Sequence, residues 1–386
     1  MKWMPISAVP IMVLLAMAGS ARAGLYNPRE IQDLYPVPVS PSQFQFKLSD
    51  LRGLANKDTM YGMASSETDA SQKNEWIAKY RQRFEELRAV EKTGNLTIAD
   101  SIELSACYLR LPSANPEGSL MTQEAIRVLE SAKAQEPRNF MVLANLAVAY
   151  QLAGNLELAI RFEELALEAW PDAHPGFTAE QLRWFRRAEK FYYLLLMLRM
   201  RELGRQSRSE ERTVDDLFSP VDLVRAERTY EVGRIPPRQM AELPPDAVPI
   251  VEQLLFWLPL DNQLYWLLAE LLNAKGDVPA AFQIFNTLAN PPVRPLINQP
   301  NQPRLLIEHW RILSADPRSK EDPTNIDSPT AAPAAEKPAT NWLPDLRPVA
   351  VGFAAGVLVT LLAGLQLREI RRRRELRAGS PPSGAG

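Results

Sequence analysis

With 386 residues the chain is too long for one compact core, and its 46% hydrophobic and 23% charged residues exclude a wholly disordered protein. A net charge of −2 argues against a general electrostatic grip on nucleic acid, so we expect no nucleic-acid partner. One cysteine and two histidines exclude an intrachain disulfide and leave too few ligands for a zinc site, so we expect no metal.

Residues 1–23 have the pattern of a secretory signal peptide. Lys2 precedes an apolar stretch from Met4 to Ala18, and Ala21-Arg22-Ala23 supplies the small-x-small pattern that signal peptidase accepts. The alternative of an uncleaved anchor is disfavoured because about 15 apolar residues are fewer than the roughly 20 that a membrane span needs. We therefore predict cleavage after Ala23 and export of the chain that follows.

Residues 24–74 are predicted to be extended or irregular, because prolines at positions 28, 36, 38 and 41 interrupt any helical pattern. A helix ending near Gly94 is predicted next, with an apolar stripe formed by Trp76, Tyr80, Phe84 and Leu87. We place this helix at the start of a helical domain that covers residues 75–290.

The proline-free window between Pro137 and Pro171 predicts a pair of antiparallel helices. Apolar residues from Phe140 to Tyr150 recur at spacings of three and four, which makes one helical face. Gly154-Asn155 ends the first helix, and a second amphipathic run ends at Pro171. Because such a pair leaves one face uncovered, it indicates a stack of similar pairs.

This window resembles the tetratricopeptide repeat family, whose unit of about 34 residues is a helix–turn–helix. The matching positions are Leu146-Ala147, Tyr150, Gly154, Ala159, Ala166 and Pro171. A run at 124–132 repeats the second-helix pattern upstream, with 97–111 as its first helix and a long turn at 112–122. Residues 262–289, after a helix at 247–258, match less closely because Leu288 replaces the second alanine. The resemblance implies an all-α, TPR-like α-solenoid with repeats at about 97–137, 140–171 and 247–290.

Two segments between the repeats have no family counterpart. Residues 180–203 predict a long core helix, because the apolar run Phe191–Leu198 is far too short to span a membrane. Residues 205–245 are polar and interrupted by proline, and we predict an irregular insert. Short strands and an unrecognised catalytic unit are the alternatives that remain open for this insert.

The resemblance also implies where partners bind, because in this family the first helix of each unit lines a groove for an extended peptide. The corresponding positions are Asn145, Val148 and Gln151 in the best-matching unit, and Trp266, Glu270 and Asn273 in the last one. The family often uses the Asn145 position to contact peptide backbone, since an amide both donates and accepts. Plain packing or solvation is the alternative for all six. The basic residues that clamp a C-terminal carboxylate in some members are absent.

The C-terminal part predicts a membrane anchor. Residues 291–345 are rich in proline and alanine and are predicted to form a linker. A transmembrane helix is predicted over 346–367, since 348–367 carries no charge and about 20 residues span a bilayer core. The arginine-rich tail at 368–386 is then cytoplasmic, because positive flanks stay inside. Gly352, Gly356 and Gly364 share one helix face and predict a homodimer, although glycine is common in membrane helices anyway.

No catalytic set is apparent in the sequence, so we expect no enzyme activity and no cofactor. His174 is predicted to lie in a solvated loop, and Cys107 to be a small buried residue of a packing helix. Glu163-Glu164 is predicted to belong to a solvated helix face. Phosphate-binding loops, nucleophile elbows and metalloprotease motifs do not occur.

Together these features predict a single-pass membrane protein with an exported helical domain and a cytoplasmic tail. The tail has six Arg and two Glu and the signal has Lys2 and Arg22, so the exported part carries −8 and favours neutral or basic protein partners. The layout resembles envelope TPR proteins of bacteria, of the planctomycete kind, and predicts a periplasmic scaffold for proteins or peptides that contacts lipid through one helix. The alternative is an accessory subunit of a membrane enzyme or export complex, assembled through its transmembrane helix.

Overall fold

The computed structural model describes Tyr26 and residues 41–55, 67–111, 119–205, 216–223, 230–289 and 304–321. The chain divides into two units, Met1–Ile326 and Asp327–Gly386, and every described residue lies in the first. These ranges contain twelve α-helices, a 3-10 helix at Pro317–Lys320 and no β-strand. The all-α prediction is therefore confirmed for them, and the arrangement is consistent with a TPR-like solenoid.

The first four helices are α1 (Pro41–Ala55), α2 (Glu67–Lys92), α3 (Ile98–Arg110) and α4 (Ser119–Gln135). Helix α3 begins at a capping box, in which the Thr97 hydroxyl accepts from the Asp100 N–H and the Asp100 carboxylate accepts from the Thr97 N–H. Helix α3 packs against α4, and α4 packs against α5. Cys107 is fully buried in α3, as its surroundings predicted.

Helices α5 (Phe140–Leu152), α6 (Leu156–Glu168) and α7 (Ala179–Arg205) follow. Asn139 caps α5 through its side-chain oxygen, and Gly154 allows the turn into α6 because its φ of +78° is one that other residues rarely adopt. Ala147 and Ala159 are fully buried, so α5 and α6 lie close together. The Tyr150 ring stacks on Phe162 with 5.3 Å between ring centroids.

The last five helices are α8 (Pro237–Glu242), α9 (Ala247–Trp257), α10 (Asn262–Ala274), α11 (Val278–Ala289) and α12 (Arg304–Ala315). Asp261 caps α10, and Gly276 makes the α10–α11 turn with a φ of +90°. Helices α10 and α11 pack as a pair, as α5 and α6 do. Within the insert, the ranges 216–223 and 230–245 contain α8 and no strand.

Two predictions of irregular structure need correction. Residues 41–55 form α1 within the segment that we expected to be extended, because Phe44, Leu48 and Leu51 fall on one face and are buried. Residues 304–315 form α12 within the predicted linker, because Leu306, His309 and Leu313 also fall on one face and are buried. The proline content of both segments led to the prediction of irregular structure. Pro41, however, lies at the first position of α1, where proline is tolerated.

Buried or half-buried arginines tie the N-terminal repeats to the helices near α9. Arg110 of α3 donates to the carbonyl oxygens of Trp257, at 3.1 Å, and Phe256, which satisfies the C-terminal end of α9. Arg52 of α1 donates to the Pro259 carbonyl at 2.7 Å. Arg199 of α7 forms an ion pair with Asp261 at 3.1 Å. Arg110 and Arg52 therefore hold α3 and α1 at the C-terminal end of α9, and Arg199 holds α7 at the start of α10.

None of the helices among the described residues combines the length and apolarity that a membrane crossing requires. The predicted signal peptide at 1–23, the predicted transmembrane helix at 346–367 and the predicted tail at 368–386 all lie outside those residues. So do Gly352, Gly356 and Gly364.

Candidate functional site

The six predicted groove residues are mostly buried in the helical domain. Asn145, Val148, Trp266, Glu270 and Asn273 are buried, and Gln151 is half-buried. Their role in partner binding stays a prediction. The polar ones contact other parts of the same chain.

Asn145 contacts the backbone of the N-terminal segment. Its side-chain oxygen accepts a 2.8 Å hydrogen bond from the Tyr26 N–H, 119 residues earlier in the sequence. Its amide nitrogen points back to α3, at 3.4 Å from the Ser105 hydroxyl and 3.5 Å from the Ile102 carbonyl. Asn145 therefore makes the kind of backbone contact that the family resemblance implies, but it makes this contact to its own chain.

Two buried carboxyl groups complete the surroundings of Tyr26. The Tyr26 hydroxyl donates to Glu189 of α7 at 3.0 Å, and Glu189 neighbours Glu163 of α6. Among the described residues, no N–H group or hydroxyl donates a hydrogen bond to either Glu163 oxygen. Burial raises the pKa of Glu189 to about 8, against the opposing hydrogen bonds from Tyr26 and Glu163. Burial and the Glu189 charge raise the pKa of Glu163 well above its ordinary value, so the pair holds protons at neutral pH.

The ring of Tyr26 is held by an aromatic cluster at the start of α5. It meets the Phe140 ring edge-on, at 5.5 Å between centroids, and Phe140 also contacts Trp170 at 4.7 Å and His174 at 5.6 Å. An open cavity of about 620 Å³ adjoins this cluster, and Phe140 and His174 are among its lining residues. We call Phe140, Asn145, Glu163 and Glu189 the Tyr26 site.

Val148 and Gln151 lie beyond the Tyr26 site on α5. Val148 is fully enclosed and serves packing. The Gln151 side-chain oxygen accepts a 2.6 Å hydrogen bond from the Tyr192 hydroxyl of α7. Burial, with the Glu163 and Glu189 charges, raises the pKa of Tyr192, so this hydroxyl remains a donor.

Asn273 of α10 repeats the backbone contact in the last repeat. Its side-chain oxygen accepts from the Gly233 N–H at 2.8 Å, and its amide nitrogen donates to the Glu231 carbonyl at 3.2 Å. Asn273 therefore holds the turn of the insert at Val232-Gly233 by both its donor and its acceptor.

Glu270 has partners that Glu163 lacks. One of its oxygens accepts from the Trp266 indole N–H at 2.9 Å, and His309 Nδ1 of α12 lies 2.6 Å from the same oxygen. The His309 ring stacks on Tyr230 at 3.7 Å between centroids. We call Trp266, Glu270, Asn273 and His309 the α10 cluster.

Glu163 and Glu189 of the Tyr26 site, and Tyr26 itself, had been missed or assigned otherwise. Glu163 was expected on a solvated face, yet it is fully buried. A signal was present in the sequence, because Glu163 lies four residues after Ala159 and three before Ala166, on the packed face of α6. The contacts of Tyr26 carried no such signal, because Asn145 and Glu189 are more than 100 residues away from it.

Other chemistry-bearing residues are accounted for by packing. His174, expected in a solvated loop, is half-buried, contacts Phe140 and Phe177, and has its pKa lowered by burial. No group of three His, Cys, Asp or Glu side chains suited to a metal ion occurs among the residues that the structure describes.

The comparisons with known proteins agree with the helical packing. Residues 122–174, which include α5 and α6, match the tetratricopeptide repeat family model. Neither the curated proteins nor the solved structures gave a match. Residues 122–174 are thus similar to a tetratricopeptide repeat, and the packed helix pairs elsewhere in the described residues are consistent with such repeats.

Proposed function

We propose that the protein is a scaffold that binds protein or peptide partners without catalysing a reaction. The observation that carries this proposal is the match of residues 122–174 to a repeat family whose members commonly bind proteins. Asn145 of α5 bonds the Tyr26 backbone and Asn273 of α10 bonds the backbone of the insert, so both helices carry amide side chains that can hold main-chain groups.

The proposed location is the outer side of a bacterial membrane, in the periplasm. The signal pattern of residues 1–23, the uncharged stretch at 348–367 and the arginines that follow it all favour one orientation, with the N-terminal part outside. Protease added to sealed spheroplasts should digest the helical domain and leave a small C-terminal fragment. Protection of the helical domain until lysis would contradict this orientation.

The surface that we propose for partners surrounds the open cavity beside Phe140. Glu136 and Arg138 line this cavity and are exposed, so a partner reaches them without unfolding the domain. Exchanging the charge of Arg138 changes that surface and leaves the packed interior untouched.

The experiment compares partners that co-purify with the full-length chain after crosslinking in intact cells. We expect Arg138→Glu to reduce recovery of the partner, and Arg161→Glu, an exposed change on α6, to leave it unchanged. If Gly352→Leu and Gly356→Leu abolish recovery while Arg138→Glu does not, the alternative of an accessory subunit assembled in the membrane is favoured.

A further inference from the structure

Tyr26 occupies its site in the way that a bound ligand does. It is fully buried, although its contacts with Asn145 and Glu189 are separated from it by 119 and 163 residues of sequence. Three kinds of contact hold it: a backbone hydrogen bond to Asn145, a hydroxyl hydrogen bond to Glu189, and an edge-on ring contact with Phe140.

The acceptors of the site are themselves buried polar groups. Asn145 and Glu163 have no exposed surface, and Glu189 has 1%. Loss of a hydrogen bond to a buried polar group costs free energy, and a segment that lacks the hydroxyl loses the bond that Tyr26 donates to Glu189. Sites built to bond a hydroxyl discriminate strongly against analogues that lack it. The site therefore selects tyrosine over phenylalanine.

The cavity beside Phe140 adjoins this site at one residue. The cavity is open, has a volume of about 620 Å³, and shares Phe140 with Tyr26. An incoming segment can therefore contact Phe140 and His174 of the aromatic cluster from the cavity.

We propose that the site formed by Phe140, Asn145, Glu163 and Glu189 is a receptor for an extended segment that carries a tyrosine, with Tyr26 as its internal ligand. A partner that binds there displaces Tyr26 with a tyrosine of its own. This second statement rests on the proposed scaffold function, whereas the internal ligand does not.

The test uses the full-length chain in detergent and a labelled, acetylated peptide with the sequence of residues 24–30. A tethered ligand competes at a high effective concentration, so the wild-type chain should bind the peptide weakly. Tyr26→Ala removes that competitor, and we expect about ten-fold tighter binding or more by fluorescence anisotropy. Replacing the peptide's tyrosine with phenylalanine should weaken binding to the Tyr26→Ala chain by about ten-fold.

A matched pair of asparagine variants locates the binding. In the Tyr26→Ala background, Asn145→Ala should abolish peptide binding, whereas Asn273→Ala, the equivalent change in the α10 cluster, should leave it unchanged. Should Tyr26→Ala lower the stability of the domain, the peptide should raise its melting temperature, and the phenylalanine peptide should do so less. Tyr26→Phe retains the ring and should bind the peptide with intermediate affinity.

The proposal is overturned if Tyr26→Ala binds the peptide no better than the wild type, or if Asn273→Ala and Asn145→Ala reduce binding equally. The outcome for the scaffold function is separate. Loss of co-purifying partner in Arg138→Glu would keep that function standing even where the peptide does not bind.

Discussion

Two asparagines, one on α5 and one on α10, hold backbone groups of their own chain in different surroundings. Asn145 bonds the Tyr26 backbone, and Asn273 bonds the backbone of the insert. Around Asn273 the neighbouring carboxyl, Glu270, is paired with an imidazole and an indole. Around Asn145 the neighbouring carboxyls, Glu163 and Glu189, face each other, and the Tyr26 hydroxyl donates to Glu189.

This difference indicates which of the two asparagine contacts is a permanent part of the fold. Glu270 of the α10 cluster bonds Trp266 of α10 and His309 of α12, and Asn273 bonds the insert. The insert and α12 are therefore part of the fold. The Tyr26 site holds a residue from outside the repeats and adjoins a cavity at Phe140. We infer that the first is a structural joint and the second a binding site.

The largest expected effect comes from breaking the α10 cluster. Glu270→Ala leaves the Trp266 N–H and His309 without their acceptor, and breaking a buried ionisable pair in this way typically costs about 3–5 kcal/mol of unfolding free energy. Urea denaturation of the full-length chain measures this. Glu157→Ala, an exposed change on α6, is the control and should stay within about 0.5 kcal/mol. A loss no larger than that of the control would show that the cluster is not a joint.

The next largest effect is the pH dependence of stability that the carboxyl pair Glu163 and Glu189 should cause. The pKa of Glu189 rises from its ordinary value of 4.5 to about 8 on folding, and that of Glu163 rises too. A raised pKa means that the folded chain binds more protons, so the contribution of this pair to stability is fully present below pH 4.5 and is lost as pH rises through about 8. We therefore expect the free energy of unfolding to decrease by several kcal/mol between pH 5 and pH 9 because of this pair.

Glu189→Gln should flatten much of that dependence while its amide oxygen still accepts from the Tyr26 hydroxyl. Burial also raises the pKa of Glu252 to about 8, so the informative quantity is the difference between wild type and variant. Tyr26 and Tyr192 face the pair and are present in both chains. Parallel curves for wild type and variant between pH 5 and pH 9 would contradict the assignment of raised pKa values to the pair.

Smaller losses of unfolding free energy are expected when either asparagine is replaced, and they allow a direct comparison of the two sites. Asn273→Ala removes two backbone hydrogen bonds of a structural joint, and we expect a loss of about 2 kcal/mol. Asn145→Ala removes the hold on Tyr26, which can detach on its own, so the global loss should be about 1 kcal/mol. Chemical denaturation of both variants gives the comparison. A larger loss for Asn145→Ala would reverse our assignment of joint and binding site.

The smallest effects are expected at the α5–α6 and α10–α11 turns. Here the two helix pairs should lose the same amount of stability. Gly154 and Gly276 both have positive φ values, and an added Cβ meets nothing closer than 3.5 Å in either case. The cost of Gly154→Ala and of Gly276→Ala is therefore conformational and local, at about 1 kcal/mol each. Melting temperatures that differ strongly between the two variants would show that one turn carries additional packing.

Local periodicity was enough to locate the repeats. The spacing of apolar residues in α5 and the turn at Gly154 are local features, and the bounds Phe140–Leu152 follow from them. The packing of Ala147 against α6 follows from the same pattern, since small residues on facing helices permit close approach.

Long-range contacts were not predictable in this way. That Tyr26 covers Asn145, and that α12 places His309 on Glu270, depends on segments brought together from distant parts of the sequence. Both segments lie near prolines, which made them resemble linkers. Glu163 was misassigned because a glutamate on a helix usually faces water, although its spacing from Ala159 and Ala166 places it on the packed face of α6.

The most direct test of this account is amide hydrogen exchange at Tyr26 in the full-length chain, followed by fragmentation mass spectrometry. We predict that the Tyr26 amide is protected in the wild type, loses that protection in Asn145→Ala, and keeps it in Asn273→Ala. Exchange of the wild-type Tyr26 amide at the rate of an unstructured peptide would contradict the claim that the chain occupies its own binding site.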